Sequence, residues 1–198
     1  MAFNIEAFRG AMKFDGQRPN LFEVSITGAD SNIFDSTGLS MFAKGTSIPG
    51  ATIGTVIVPY FGREVKLAGN RTFPEWTITV INDENFSHRS QFESWMNAIN
   101  QHSGNTRKVS GTHGYVNTAT VTQYSKTGST SATAKYEFHN LFPTDLSEIT
   151  LDWGDNDTVE EYTVTFSYDF WSRHAGSLSG GSGEVAEDIT EEITSAGF

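Results

Sequence analysis

Between Glu161 and Phe170 the chain reads EYTVTFSYDF, in which Tyr162, Val164, Phe166, Tyr168 and Phe170 alternate with Glu161, Thr163, Thr165, Ser167 and Asp169. A period of two held over that length puts apolar groups on one face of an extended strand and polar groups on the other. It commits this part of the chain to a sheet with one buried side. The same period recurs at Phe22, Val24 and Ile26 and at Trp76, Ile78 and Val80. Further strands are expected at Ser40–Ile48, Thr52–Tyr60 and Arg63–Ala68, separated by Pro49-Gly50 and a turn at Gly62, with Gly69-Asn70 turning the chain again. Val116–Tyr124 and Ala132–Phe138 bracket Thr127-Gly128-Ser129 as a hairpin.

One segment changes period. After Val80 the alternation stops in Asn82-Asp83-Glu84-Asn85, and Phe92, Trp95, Met96 and Ile99 then fall at i, i+3, i+4 and i+7. That is the stripe with which a helix buries one side, and it predicts a helix over about residues 86–100. Many strands with one placed helix imply a mostly β fold, an antiparallel two-sheet sandwich or small barrel flanked by that helix. The organisation expected is an N-terminal arm over residues 1–17, a β domain over 18–172, and a Gly/Ser linker with an acidic extension over 173–198. Within the extension, Val185, Ile189 and Ile193 at intervals of four suit a short amphipathic helix. The stretch from Gly28 to Leu39 is longer than a simple turn and reads as a surface elaboration.

The charge excludes some functions. Thirteen basic and 24 acidic residues give a formal net charge of −11, the wrong sign for a protein that holds phosphates with Lys and Arg. With no cysteine, there is no disulfide, thiolate nucleophile or Cys-ligated zinc. No apolar run approaches the roughly 20 residues of a membrane helix, and the N-terminus lacks the marks of a signal peptide, so a soluble protein made in a cytoplasm is expected.

Neither a catalytic nor a metal site emerges. His88, His102, His113, His139 and His174 are scattered without ligand spacing. Asp152, Asp155, Asp157 and Glu160 resemble a calcium loop but lack its glycine and distal glutamate. The pairs Asp83 with Glu84 and Glu160 with Glu161 are neighbours that point to opposite faces of a strand or sit beside a helix start. With no nucleophile elbow, phosphate loop or dinucleotide fingerprint, no enzyme, cofactor or metal is expected.

Four stretches resemble a known family. RPNLFEVSI at 18–26, GREVKLAGNRTFPEWTITVINDENFSHRSQFESW at 62–95, LFPTDLSEITLDW at 141–153 and YTVTFSYDFW at 162–171 are similar to the tail tube proteins of contractile-tailed bacteriophages, whose fold is shared by the inner tubes of pyocins and type VI secretion systems. The resemblance covers residues 18–172 in order. It implies a hexameric ring with a continuous inner β-barrel, stacked into a tube that conducts the genome into the host. The partners it implies are further copies of the chain, a tail sheath, baseplate and tail terminator proteins. The tape measure protein and DNA would pass through the lumen without specific binding, and no membrane insertion is implied. The location implied is the virion, assembled in the host cytoplasm. A baseplate tube initiator, a secretion-system tube and, from a different class, a lectin-like binding module stand as alternatives.

Within this frame Trp76, Ile78, Val80, Phe92, Trp95, Met96 and Ile99 are expected to form the core between strand and helix, with Asn85 or Ser87 as N-cap. By analogy to the family, the loop before Pro49 to Phe61 and the N-terminal arm should reach a neighbour within or between rings. Strands Ser40–Ile48, Thr52–Pro59, Val116–Tyr124 and Thr133–Phe138 are candidates for the bore, with Thr118, Thr120, Thr122 and Glu137 the residues expected to line it. Lys44 and Lys135 sit awkwardly with a lining that must not hold DNA.

Overall fold

The computed structural model describes residues 4–12, 16–28, 38–107, 114–126 and 132–175. The turn expected at Thr127-Gly128-Ser129, the body of the elaboration after Gly28 and the stretch Val185–Ile193 lie outside these residues.

In chain order the elements are α1 (Ile5–Ala11), β1 (Phe22–Gly28), α2 (Leu39–Phe42), β2 (Ala43–Thr46), β3 (Thr52–Tyr60), β4 (Arg63–Thr72), β5 (Trp76–Ile81), α3 (Ser87–Ile99), β6 (Asn117–Tyr124), β7 (Ala132–Leu146), β8 (Glu161–Ser167) and β9 (Phe170–Ala175). The fold is mostly β. A seven-stranded sheet has the order β1-β6-β7-β8-β5-β2 with β9 attached to β7, and β3 with β4 forms a separate two-stranded sheet. The pairings of β2 with β5, β5 with β8, β7 with β8 and β3 with β4 are all antiparallel.

By contact density the chain divides into two units, and the division falls within β6 and β7. The smaller unit comprises Met1–Phe22, Thr122–Lys135 and Arg173–Phe198. In it Asn4 caps α1, its Oδ1 accepting from the amides of Glu6 (3.0 Å) and Ala7 (3.3 Å). No residue of α1 is buried. The Gln17 side chain donates to the Tyr124 carbonyl at 2.7 Å, and the Tyr124 amide donates to the Leu21 carbonyl at 2.9 Å.

The larger unit, Glu23–Val121 with Tyr136–Ser172, holds the aromatic core. Trp76, Ile78 and Val80 of β5 pair directly with Phe166, Val164 and Tyr162 of β8, so the apolar halves of two alternating strands share one face. Trp76 stacks on Phe138 at 4.4 Å, and Phe166 meets Trp76, Phe92 and Trp95 with ring centroids 5.4, 6.0 and 6.2 Å away. Phe92 and Trp95 of α3 are fully buried, while Met96 and Ile99 are only half-buried at the helix flank. Indole N–H groups find carbonyls as they enter the core, Trp76 donating to Ser47 (3.1 Å) and Trp95 to Tyr115 (2.8 Å).

No turn forms at Gly69-Asn70, because β4 runs through both residues to Thr72 and stays paired with β3 at Ile53 and Thr52; four further details depart from the sequence reading. The strand expected from Ser40 begins instead as the single turn α2, because Gly38 takes φ +85° and sends Leu39 into the core with Phe42, three residues on, against His88 at 4.9 Å. Strand geometry starts at Ala43 and ends at Thr46. Strand β7 continues well past Phe138 to Leu146. The long final strand breaks at Tyr168-Asp169, where the Asp169 amide donates to the His139 carbonyl and its carboxylate accepts from the Asn140 side chain. Phe170 therefore leaves the buried face, stacks on His139 at 4.5 Å and stays about half exposed.

The N-cap is the fourth. Phe86, in the left-handed region at φ +53°, holds the cap position without a side-chain bond. Asp83 does the capping, its Oδ1 accepting from the Ser87 amide (2.9 Å) and its Oδ2 from the Ser87 hydroxyl (2.7 Å). A carboxylate there also faces the positive end of the helix dipole. The Ser87 hydroxyl bond is the main reason its pKa lies below the ordinary carboxylate value.

Candidate assembly surfaces

Strands β3 and β4 carry the sequence of a core and the exposure of a surface. Their register pairs Val56 with Leu67 and Val58 with Val65 on one face, and Ile57 with Lys66 and Pro59 with Glu64 on the other. Every residue of both strands except Gly69 is exposed. A two-stranded ribbon with neither face covered is marginal in water by itself, and a contiguous apolar patch of this kind marks an interaction surface. The ribbon is sharply built all the same. Phe61 and Gly62 are its two-residue loop, with φ of +45° and +81°, the signs a type I′ turn requires. The Phe61 side chain is 92% exposed and meets Tyr60 edge-on at 4.7 Å. Near the root the register shifts between Ile53 and Thr55, and a Cβ on Gly69 would lie 3.1 Å from the Gly54 carbonyl oxygen. The Trp171 indole donates to the Gly50 carbonyl at 3.0 Å, fixing the chain just before β3.

The second surface is a polar lane. Opposite the core face of β5 and β8, Thr77 pairs with Thr165 and Thr79 with Thr163, the hydroxyls of the first pair being 3.3 Å apart. The Thr144 hydroxyl donates to the Thr165 carbonyl at 3.2 Å. On β6, Asn117, Ala119 and Val121 are buried while Thr118, Thr120 and Thr122 take the other face, half-buried. On β7, Glu137 stands opposite Phe138 and shares its face by alternation with Lys135, which is exposed. Lys44 is ion-paired with Glu161. The four expected lining residues thus sit on the polar faces of their strands. The sequence reading missed Thr77, Thr79, Thr163 and Thr165, although the alternation that buries their neighbours already displayed them.

The third surface is the connection from Ser147 to Glu160. Both of its ends are clamped. The Ser147 amide donates to the Thr163 carbonyl and its hydroxyl accepts from the Thr163 amide, both at 2.9 Å. Arg89 of α3 donates to the Ser147 carbonyl (3.1 Å) and lies over the Tyr162 ring (5.2 Å). Desolvation raises the Tyr162 hydroxyl above its ordinary pKa. At the other end Asn82 donates its amide and its side chain to Glu160, each at 2.8 Å. Between the clamps, the Asp152 carboxylate accepts from the Gly154 amide (2.8 Å) in a tight turn that holds Trp153 fully exposed. The Asp155 amide also donates to the Asp152 carbonyl, at 3.3 Å. Among the described residues no three His, Cys, Asp or Glu side chains are grouped as metal ligands.

Surfaces this apolar, on a chain this regular, direct attention to assembly. The family model described as phage tail tube protein matches residues 13–174. The chain belongs to that family. The tail tube protein gp19 of Enterobacteria phage T4 is 33% identical over 157 residues, covering 79% of this chain and 91% of that protein. The tail tube protein of Serratia phage KSP90 is 25% identical over 168 residues, covering 83% and 93%. In fold, the chain is similar to one from the PVC sheath–tube complex of an extracellular contractile injection system in its extended state, with a TM-score of 0.60 at 16% identity, covering 88% of this chain and 99% of that one. This tail tube protein is a structural component of a contractile phage tail and of the virion. Among the described residues no helix is long and apolar enough to cross a membrane.

Proposed function

We propose that six copies close into a ring, that rings stack into the inner tube on a baseplate, and that the β3–β4 ribbon is the element each copy gives to its neighbours. The exposed ribbon carries this reading. Eight large apolar residues between Ile53 and Leu67, Phe61 among them, are at least 42% exposed in the single chain. Burying such area is worth about 25 cal/mol per Å², a gain that only a second surface can collect. Strands β1 and β2 end the path of the seven-stranded sheet and give neighbours backbone edges to extend.

In this reading the lane of Thr77, Thr79, Thr163 and Thr165 faces the bore, and Thr118, Thr120, Thr122 and Glu137 line the bore as well. DNA carries one charge per about 1.7 Å of axis, and a wall of hydroxyls gives it nothing to bind. Lys44, already paired with Glu161, adds little field, and Lys135 has Glu137 two residues away on its own face. The sheath, baseplate and terminator proteins meet the outer surface and ends of the tube, while the tape measure protein and the genome occupy the lumen. The N-terminal arm over 1–17 reaches a neighbouring copy in this reading.

Negative-stain electron microscopy of the purified protein, alone and with baseplates, tests the assembly; hollow stacked rings are expected, and persistent monomers under both conditions overturn it. Lysines placed at Thr118 and Thr163 test the lining. They should leave tubes intact and slow DNA release in a salt-dependent way, whereas unchanged release would remove these residues from the bore.

A further inference from the structure

Charge is not shared evenly between the surfaces described above. The ribbon from Thr52 to Thr72 carries three basic residues, Arg63, Lys66 and Arg71, against one acid, Glu64. The rest of the chain has ten basic and 23 acidic residues, so the ribbon is a basic segment on a strongly acidic protein. The connection 147–160 is the reverse, with Glu148, Asp152, Asp155, Asp157 and Glu160 and no base. Both present an uncovered aromatic at a tight turn, Phe61 on one and Trp153 on the other. Since both rings are exposed in the single chain, neither segment covers the other within one copy.

From this we infer that the basic ribbon of one copy docks on the acidic Trp153 loop of a second copy, with Phe61 and Trp153 as apolar anchors inside a ring of opposite charges. The inference rests on the assembly reading and names the two faces that meet. Three observations favour a second copy of this chain as occupant. The charges are opposite. Each face combines an aromatic anchor with a polar rim, the composition of an interface centre. The two patches differ, so their pairing is heterologous and propagates head to tail, as a ring or a stack of rings requires. The clamps at Ser147 and Glu160 hold the loop in place before the partner arrives, which lowers the ordering cost of docking. Phe61 supplies a further sign of function, because a side chain in the left-handed region is disfavoured and the turn type prefers Asn at that position.

Charge reversal gives the first test. The variant R63E/K66E and the variant D155K/D157K should each raise the protein concentration needed for tube growth about tenfold or more, as like charges then face each other. A chain carrying all four changes should recover growth. Circular dichroism and Tm report separately on folding, which these exposed positions leave intact. The chain has no cysteine, and this gives a second test that leaves both aromatics in place. Tubes of the variant R63C/D155C treated with a short bis-maleimide should run as a ladder of dimers, trimers and larger species, while either single variant stops at dimers. Tubes that form normally from both reversed variants, or that give no ladder, overturn this pairing and leave the tube function standing. A wild-type chain that forms no rings or tubes with baseplates overturns both.

Discussion

Strands β3 and β5 are written in the same alphabet and have opposite fates. TIGTVIVPY and WTITVI are both rich in β-branched residues, yet β5 buries Trp76, Ile78 and Val80 against β8 and α3 while β3 leaves every side chain exposed. Propensity and hydrophobicity place both segments in strands; they say nothing about whose surface will cover them. One chain therefore holds two kinds of apolar strand, one covered within the subunit and one exposed in it, which the proposed assembly would cover with a neighbour. Substitutions in the two should separate stability from assembly.

The largest contrast comes from Phe166, which meets Trp76, Phe92 and Trp95. F166A should cost about 3–5 kcal/mol of unfolding free energy, read as a lower denaturant midpoint, and assembly would fail only because the subunit does. Next in size is Phe61. F61N places the preferred residue in its turn and should stabilise the isolated subunit by up to about 1 kcal/mol, while tube growth weakens. A variant that gained both stability and assembly would erase the distinction. Smaller still, V58T with V65T should change isolated-subunit stability by no more than about 0.5 kcal/mol and yet reduce polymer yield by sedimentation. The smallest effect is at Asp83. Its lowered pKa means that its contribution is present above the ordinary carboxylate range and is lost as pH falls through the folded value. D83N should lower Tm slightly at neutral pH, and the gap from wild type should close below about pH 4.

The sheet core was legible because each of its strands repeats one statement several times. Trp76, Ile78 and Val80, and Tyr162, Val164 and Phe166, could be assigned to a buried face from spacing alone, as could Phe92 and Trp95 on α3. What the spacing could not show turned on single residues. Gly38 with positive φ converts a strand start into a helical turn; Asp169 bonds sideways and ends β8 early; Asp83, four residues ahead of Ser87, outcompetes both nearer cap candidates. The ribbon posed a different problem, since an apolar strand reads the same whether its cover is internal or external. The resemblance pointed to a neighbour only for the loop before this strand and set Thr52–Pro59 among the bore candidates. Trp153 stood in plain view inside LDWGDND, but a single aromatic in a turn has no period that marks it as an anchor.

The approach of Gly69 to the Gly54 carbonyl sets a limit on how such a tube can drift in sequence. A methyl group at position 69 fits only if the Gly54 backbone gives by a few tenths of an ångström, so that site should vary less readily than the exposed residues farther along. A saturation library selected for infectious particles would show a dip there, bordered by permissive positions. Tubes of differing specificity can diverge at the fingertip while the wrist changes less.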